Sequence, residues 1–313
     1  MSPSITSGSL SNQDATNTSA PSSSPLPPTH NLRKRIPSSS LKDAVCILTG
    51  CSSPLGIGRA TAHAFALAGA RSIYICDVTS TNLSALQSEL LSLKSKAADL
   101  EIHTRTFDAA DEKAVKSTIS EALASYNRLD VFFANAGVVG THKPLSEIST
   151  DNFTQTMKIN VLSVFLAIKH ASPAMQHTSP SKPAPGGSII ATSSVAGLRS
   201  NAGSSDYSAS KAAVMSLVQT SAYQLAGTGV RVNAVLPGLI ETGMTSQLFD
   251  LARAAGREGK IGQLYPQQRA GRADEVARVV LFLATDGTYV NGQGWAVDGG
   301  LSAGLPFVRG KLA

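Results

Sequence analysis

Long apolar runs are missing from this sequence. The longest candidates, such as "VVLFLA" at 279–284, fall far short of the roughly 18 residues needed to cross a bilayer, so we expect no membrane partner. Cysteine is also scarce: the chain has three, and they are not spaced as metal ligands. This scarcity is typical of a reduced, intracellular protein, and we therefore expect a cytoplasmic protein without a metal centre.

Charged residues are few and are not gathered into blocks. They make up 15% of the chain, and the lysines and arginines behind the net charge of +6 are scattered among acids. Solvated surface charge is the commonest cause of such a balance, so we expect no nucleic-acid partner. A weak attraction for a phosphate-bearing cofactor is compatible with it.

The first 40 residues differ from the rest. Of these, 22 are Ser, Thr or Pro, and no periodic apolar pattern is present, which predicts a disordered tail over 1–40. The tail lacks the apolar stretch of a secretory signal, and no Lys or Arg precedes Arg33, which argues against a mitochondrial presequence. The basic cluster at 33–35 is then a solubilising hinge; an anion or partner held by this segment is the alternative.

From Leu41 onward, short β-branched apolar segments alternate with helical patterns. The candidate strands are "AVCILTG", "SIYICDV", "EIHTRTFD", "LDVFFANAG", "GSIIATSS", "GVRVNAVLPG" and "GQGWAVDGG". Strands that are apolar on both faces and separated by helices are typical of a covered parallel sheet. We predict one α/β domain over 41–313, a doubly wound, Rossmann-like parallel sheet. Helices should end near Ala70 and Ala98 and span about 112–126, whereas the Pro- and Gly-rich segment 177–187 should be an exposed loop.

A glycine turn, "TGCSSPLGIG" at 49–58, lies between the first strand and the first helix. Gly50, Gly56 and Gly58 would let backbone N–H groups and the helix N-terminus face a pyrophosphate. Asp77 ends the second strand 19 residues after Gly58, where a carboxylate would bind ribose hydroxyls and repel a 2′-phosphate. This combination predicts NAD, with NADP possible because Arg59 lies just beyond the turn. The alternative is a plain tight turn, with Asp77 capping the next helix.

Tyr207 and Lys211 are four residues apart in "YSASK", on a segment with a helical pattern. That spacing places both side chains on one helix face, within reach of each other. A nearby ammonium stabilises phenolate, so we expect Lys211 to lower the pKa of Tyr207 towards working pH. Tyr207 is therefore a candidate acid/base, with an exposed amphipathic pair as the alternative.

In their order, these motifs resemble the short-chain dehydrogenase/reductase family, from Lys42 to about Leu305. "NAG" at 135–137 resembles its strand-stabilising motif, and "PGLIET" at 237–242 resembles its nicotinamide-contacting segment. The resemblance implies a nicotinamide cofactor and a homotetramer. The cofactor contacts that it implies are Gly50, Gly56, Ile57, Gly58, Asp77, Asp108, Asn135, Ala136, Gly137, Tyr207, Lys211, Pro237, Gly238, Ile240 and Thr242. For Asp108 and Thr242, helix capping is the alternative.

The resemblance also implies the catalytic roles. Tyr207 would exchange a proton with a secondary alcohol or ketone while hydride passes between the same carbon and nicotinamide. Ser194, 13 residues before Tyr207, would donate a hydrogen bond to the substrate oxygen, and the adjacent Ser193 is the weaker candidate. Lys211 would bind the nicotinamide ribose. Asn160 would hold a water through its helix backbone, unless it is only a helix-bending residue satisfied locally.

The glycine turn departs from the common family pattern, because five residues rather than three separate Gly50 from Gly56. A longer gap resembles the enoyl-thioester reductase branch of the same superfamily, in which Tyr and Lys are seven residues apart. The residue seven after Tyr207 is Val214. The carbonyl/alcohol reaction is therefore favoured, and enoyl reduction remains the alternative, as does a non-catalytic dinucleotide-binding regulator.

Residues 240–269 lie where the family carries its substrate lid. An apolar pocket there favours a hydrophobic secondary alcohol or ketone, such as a terpenoid, steroid-like or polyketide compound, while a sugar or polyol remains open. Ordinary helix packing explains the same apolar residues equally well. They are Met244, Leu248, Phe249, Leu251, Ile261, Leu264 and Tyr265.

Overall fold

A computed structural model describes residues 40–93, 99–141, 143–199, 202–263 and 265–304. The predicted disordered tail lies outside these residues, apart from Ser40. The strands are β1 (Val45–Thr49), β2 (Ser72–Asp77), β3 (Glu101–Thr106), β4 (Val131–Ala134), β5 (Gly187–Thr192), β6 (Val230–Pro237), β7 (Ile240–Glu241), β8 (Gly271–Arg272) and β9 (Gly294–Val297). The α-helices are α1 (Ile57–Leu67), α2 (Leu83–Ser92), α3 (Glu112–Tyr126), α4 (Thr150–Met157), α5 (Ser163–Gln176), α6 (Ser205–Gln224), α7 (Ser246–Ala254) and α8 (Ala273–Ala284).

Within the described residues, seven parallel strands form one sheet in the order β3-β2-β1-β4-β5-β6-β9. Ile47 of β1 pairs with Tyr74 on one side and with Phe132 on the other. The strand order reverses between β1 and β4, and the crevice outside the carboxyl ends of the strands at such a reversal is where ligands bind in open α/β sheets. The doubly wound fold and all seven of its strand segments are confirmed.

The sheet is covered on both faces, which explains why its strands are continuously apolar. All five residues of β1 are buried. Val45 and Ile47 face a core cluster shared with α3, α5 and α6, whereas Cys46 and Leu48 face one shared with α1, α2 and α8. A strand that contributes to two cores has no polar face, so its sequence does not alternate.

Helix boundaries follow local capping. Helix α3 has the predicted bounds, and the Asp111 side chain caps it by accepting from the N–H groups of Lys113 and Ala114. Helix α2 ends at Ser92 because Leu93 is extended, while the predicted end near Ala98 falls in 94–98, outside the described residues. In the described part of the chain, no helix is both long and apolar enough to cross a membrane.

The segment 177–187 is not simply the exposed loop that its composition predicts. Lys182 within it is only 7% exposed, and its Nζ donates to the carbonyl oxygens of Leu129 (2.6 Å) and Met175 (2.7 Å). Asp130 lies 3.9 Å from the same ammonium. The prediction is wrong at Lys182 because carbonyls and a carboxylate from distant segments converge on it.

Candidate active site

The glycine turn, the "NAG" segment and Ser194 follow the carboxyl ends of β1, β4 and β5. Asn135 joins these three ends: its Nδ2 donates to the carbonyl oxygens of Thr49 and Gly50, each at 3.1 Å, and its Oδ1 accepts from the Thr192 hydroxyl at 3.0 Å. Ala136 N–H donates to the Thr49 hydroxyl at 3.1 Å. The "NAG" segment therefore holds the strand ends together, as the resemblance implies.

The glycine turn brings the N-terminus of α1 against the end of β1. A Cβ on Gly58 would collide with the carbonyl oxygen of Gly50, so only glycine permits this approach. The residues at 53–56 form a tight turn closed by Gly56 N–H donating to Ser53 O at 3.0 Å, with Pro54 and Leu55 exposed at its tip. The two extra residues therefore project outward, and α1 still begins at Ile57, directly after Gly56.

Two observations fit this turn to a phosphate-bearing ligand. Gly56 at the helix N-cap offers no side-chain cap, so the first N–H groups of α1 remain available to an anion. The Ser53 hydroxyl is buried and has no hydrogen-bond partner among the described residues. A buried polar atom without a partner is costly, and a ligand oxygen would relieve that cost.

Asp77 holds the same turn from the end of β2. Its carboxylate accepts from Ser52 N–H (2.9 Å) and from Thr79 N–H (3.2 Å). Helix α2 has Asn82 as its N-cap residue, so the alternative that Asp77 caps this helix is wrong. The carboxylate instead lies beside the glycine turn, where the sequence predicts ribose recognition.

Lys211 is buried behind Tyr207. Its Nζ donates to the carbonyl oxygen of Thr192 at 2.8 Å, and burial lowers the pKa of Lys211 to about 8. Burial raises the pKa of Tyr207, and a hydrogen bond with the Ser194 hydroxyl only partly offsets this. The expected lowering of the Tyr207 pKa by Lys211 is therefore not found in the protein chain alone, because desolvation is the larger influence.

The two adjacent serines after β5 have different partners. Ser194 Oγ accepts from Ala196 N–H at 3.1 Å in a short 3₁₀ turn, Val195–Gly197, and the same hydroxyl acts to lower the pKa of Tyr207. The Ser193 hydroxyl donates to the carbonyl oxygen of Lys211 at 2.7 Å and is used within the fold. The geometry therefore agrees with the spacing argument, which prefers Ser194.

Asn160 lies in a π-helical turn, Lys158–Leu162, between α4 and α5. Its side chain is 1% exposed and is fully engaged. Oδ1 accepts from Val138 N–H at 2.8 Å, and Nδ2 donates to Val138 O and Ser210 Oγ, each at 3.0 Å. The side chain is therefore satisfied by distant segments rather than by its own helix, as the alternative supposes. The water held by the helix backbone stays a prediction.

Gly137 lies between Asn160 and Lys211. A Cβ added there would lie 3.0 Å from Asn160 Oδ1 and 3.4 Å from Lys211 Nζ.

Asp108 follows β3, and its Oδ1 accepts from Ala110 N–H at 2.9 Å. Because Asp111 caps α3, the helix-cap alternative for Asp108 is wrong.

The predicted nicotinamide-contacting segment extends β6. Gly238 N–H donates to Val297 O at 3.0 Å, so the β6–β9 pairing continues beyond Pro237. Thr242 is buried, and its N–H donates to the Thr245 hydroxyl at 3.0 Å, which in turn donates to Ile240 O at 2.6 Å. Thr245, not Thr242, is the N-cap residue of α7, so that alternative is also wrong.

The predicted lid residues differ in how far their side chains are exposed, and Ile261 and Tyr265 are partly buried. Phe249 on α7 is buried and packs as a core residue, whereas Met244, Leu248 and Leu251 expose about half or more of their surface. Leu264 lies outside the described residues. Arg253 pairs with Glu241 of β7 and with Glu258, which ties α7 to the end of the short sheet.

Two members of the cluster are not singled out by the sequence motifs. Thr192 supplies the carbonyl that accepts from Lys211, and its place at the end of β5 was a usable signal. Asp206 is a fully buried carboxylate immediately before Tyr207. No pattern in the sequence distinguishes it from the exposed acidic residues that commonly begin helices.

Comparisons with known proteins agree with this geometry. The family model described as "Enoyl-(Acyl carrier protein) reductase", adh_short_C2, matches residues 50–302. The chain is 36% identical over 262 residues to the 3-oxoacyl-[acyl-carrier-protein] reductase FabG of Thermotoga maritima, covering 83% of this chain and 98% of that protein. It is 30% identical over 267 residues to cyclohexanol dehydrogenase of Acinetobacter sp., covering 85% and 98%.

Levodione reductase of Leifsonia aquatica is 33% identical over 273 residues, covering 85% of this chain and 97% of that protein. A crystal structure of levodione reductase superposes with a TM-score of 0.75 at 33% identity, covering 85% of this chain and all of that chain. The residues that the family model matches, 50–302, include Gly50 to Gly58, the "NAG" segment and the helix that carries Tyr207 and Lys211. The chain therefore belongs to the short-chain dehydrogenase/reductase family.

Proposed function

We propose that this protein is an NAD-dependent oxidoreductase that interconverts a secondary alcohol and a ketone. The observation that carries the proposal is the cluster of Ser194, Tyr207 and Lys211 beside the glycine turn, at the reversal of strand order. When bound, the nicotinamide supplies or accepts the hydride. All remaining steps are assigned to side chains of this chain.

Tyr207 carries the proton. In alcohol oxidation its phenolate oxygen takes the hydroxyl proton, and in ketone reduction its hydroxyl returns the proton to the same oxygen. Ser194, whose hydroxyl already acts on the pKa of Tyr207, donates to the substrate oxygen and stabilises developing alkoxide charge. Lys211 binds the ribose hydroxyls. In its charged form it favours the Tyr207 phenolate, and Asn160 holds the water that links Lys211 to solvent.

The residues around the glycine turn favour NAD over NADP. The Asp77 carboxylate lies where it would accept from ribose hydroxyls and repel a 2′-phosphate. Arg59, which could have received that phosphate, instead pairs with Glu89 at 2.5 Å. The cofactor-contacting set that we propose is the one implied by the family resemblance.

A hydrophobic substrate is supported by the lid. Met244, Leu248 and Leu251 present apolar side chains to solvent in the segment that would cover the substrate. Two relatives, levodione reductase and cyclohexanol dehydrogenase, are named for a reduction and for an alcohol oxidation. We propose a small hydrophobic alcohol or ketone, of terpenoid, steroid-like or polyketide type. The lid itself, about 240–269, is part of this proposal.

A homotetramer is supported by two exposed apolar surfaces. One lies on α4, α5 and the π-helical turn between them and includes Phe165, which is 44% exposed, with Phe153 and Leu162. The other includes Trp295 on the edge strand β9, with Tyr289 just before it. Exposed apolar patches and sheet edges are common protein–protein contacts.

Three buried, unpaired thiols support a reducing, cytoplasmic environment.

The proposal is tested by titrating the protein with NADH and NADPH and then measuring turnover on hydrophobic secondary alcohols and ketones. We expect tighter binding of NADH and reduction of at least one cyclic ketone. Reduction of an enoyl thioester with no ketone turnover would establish the enoyl-reductase alternative. Cofactor binding with no turnover on any substrate would favour the non-catalytic regulator.

A further inference from the structure

Asp206 is a buried carboxylate in the first turn of α6, immediately before Tyr207. Its relative exposure is 0%, and no cation within the described residues forms a salt bridge with it. Burying an unpaired charge is expensive unless hydrogen bonds replace its water. The fold must therefore supply those donors, and they indicate what Asp206 holds.

Two donors from separate segments reach one oxygen of this carboxylate. Oδ2 accepts from Thr141 N–H in the loop after β4 and from the Thr156 hydroxyl on α4, each at 3.0 Å. Burial alone would raise the pKa of Asp206, but the donors around its carboxylate outweigh burial, so this pKa is lowered. Oδ1 has no hydrogen-bond partner among the described residues. The group is an anion at neutral pH.

The loop approaches this carboxylate as closely as a backbone can. A Cβ on Gly140 would collide with the Asp206 carboxyl group, so glycine is required there. Residues 138–141, here named the β4 loop, are thus fixed at their C-terminal end by Asp206. At their N-terminal end, Asn160 bonds to both the N–H and the carbonyl of Val138.

These two anchors lie along one turn of α6. Asn160 also donates to Ser210, one helical turn after Asp206, and Gly137 lies beside Lys211 Nζ. The β4 loop therefore runs alongside the first turns of α6. It starts next to Lys211, passes Tyr207 and ends next to Asp206. Val139, between the anchors, is 38% exposed. A loop held in this place forms a wall beside the reacting groups.

We infer that Asp206 is a positioning residue for the substrate, because it holds the β4 loop against α6 next to Tyr207. The inference rests on the proposed function, since the β4 loop can position a substrate only if the substrate binds beside Tyr207. Asp206 touches neither substrate nor cofactor in this assignment. Its effect passes through Gly140 and Thr141.

Asp206→Ala and Asp206→Asn, each in the full chain, test this inference. For Asp206→Ala we expect KM for the cyclic ketone that the parent reduces to rise at least tenfold, with kcat changed less than threefold and the NADH Kd within twofold. Asp206→Asn keeps an acceptor for Thr141 N–H, so it should restore KM to within about threefold. Asp151→Asn, an exposed acid on α4, is the matched control and should change nothing.

A purely structural role gives a different result. Lost stability reduces the active fraction and lowers apparent kcat without moving KM, so an unchanged KM in folded Asp206→Ala would overturn the inference. If that variant does not fold, Gly140→Ala disturbs the same contact from the loop side and should raise KM alike. Unchanged KM in Gly140→Ala would also overturn it.

Amide hydrogen exchange separates this inference from the proposed function. Peptides covering 138–141 should exchange at least tenfold faster in Asp206→Ala than in the parent, while peptides of β1 and β5 stay protected. A parent protein with no turnover would refute the proposed reaction but leave this measurement valid. Unchanged exchange at 138–141 would refute the anchoring by Asp206 even in an active enzyme.

Discussion

Lys211 Nζ lies 5.6 Å from the centre of the Tyr207 ring, one helical turn along the same face of α6. The ammonium is bonded to Thr192 O rather than to the phenol. This arrangement leaves the Tyr207 hydroxyl available to Ser194 and to a substrate. The Tyr207 hydroxyl, which would carry the proton, is thus not occupied by the Lys211 ammonium.

Tyr207→Phe should abolish most turnover and spare the cofactor site. Removing the phenolic oxygen removes the acid/base, and we expect kcat to fall about 10³-fold, within the usual range for such groups. NADH binding, followed by fluorescence, should stay within twofold. Tyr223→Phe is the matched control, since Tyr223 lies on the same helix and is 87% exposed. Tyr207→Phe with near-parental kcat would refute the mechanism.

The two serines should respond in opposite ways. Ser194→Ala should lower kcat about 10²-fold, because a hydrogen bond to developing alkoxide charge is lost. Ser193→Ala removes a buried bond to Lys211 O and should cost about 1 kcal/mol of unfolding free energy with little effect on kcat. Steady-state kinetics and urea unfolding of both variants give this comparison. A larger kcat loss in Ser193→Ala would reverse the assignment.

Asp77→Ser should weaken the cofactor preference. The parent is expected to use NADH with a kcat/KM at least tenfold above that for NADPH. Replacing the carboxylate removes both a ribose acceptor and a repulsive charge, so the ratio should fall about tenfold or more. The exposed Asp250→Ser is the control. A parent that prefers NADPH would overturn the argument from Asp77.

Burial of Lys211 should make stability depend on pH above neutrality. Its pKa is lowered to about 8 in the folded chain, against about 10.4 when unfolded, so between these values the unfolded state binds more protons. Stability therefore rises as pH increases through this window and is lost as pH falls through 8. Relative to Lys211→Met, the parent should gain about 3 kcal/mol between pH 7 and 10.5, measured by urea unfolding. A flat difference would contradict the lowered pKa.

Asn135→Ala should destabilise the strand ends. The change leaves the buried partners of three hydrogen bonds unsatisfied, and we expect a loss of about 2–4 kcal/mol in unfolding free energy. NADH affinity should fall as well, since the bond to Gly50 fixes the glycine turn. Asn152→Ala, at an exposed position on α4, loses one bond with the Ser149 hydroxyl and should cost no more than about 1 kcal/mol. Equal losses in both variants would argue against the bridging role.

The sequence was informative wherever a feature depends on local pattern. Strand β1 is continuously apolar because both its faces are buried, and Tyr207 and Lys211 share a helix face because they are four residues apart. Both could be predicted from a few neighbouring residues. The position of the glycine turn could be predicted for the same reason, since Gly56 and Ile57 begin a helix after a strand.

The remaining features depend on contacts between distant segments. Lys182 is buried because two carbonyl groups accept hydrogen bonds from its ammonium. One belongs to Leu129, more than 50 residues earlier in the sequence, and the other to Met175 near the end of α5. The Tyr207 pKa was predicted in the wrong direction because desolvation depends on the whole surrounding structure. Asp206 was missed because its donors on the β4 loop and α4 are 65 and 50 residues away.

The outward turn at 53–56 makes the protein suitable for attaching a reporter group. Leu55 at its tip is 58% exposed, while Gly56 at its base is the N-cap residue of the helix that would receive the pyrophosphate. A fluorophore coupled to a cysteine introduced at position 55 would be one residue from the N-cap of α1. The three native thiols are buried, so labelling there would be selective. The two residues that lengthen the glycine turn thus provide a position for a sensor of cofactor exchange.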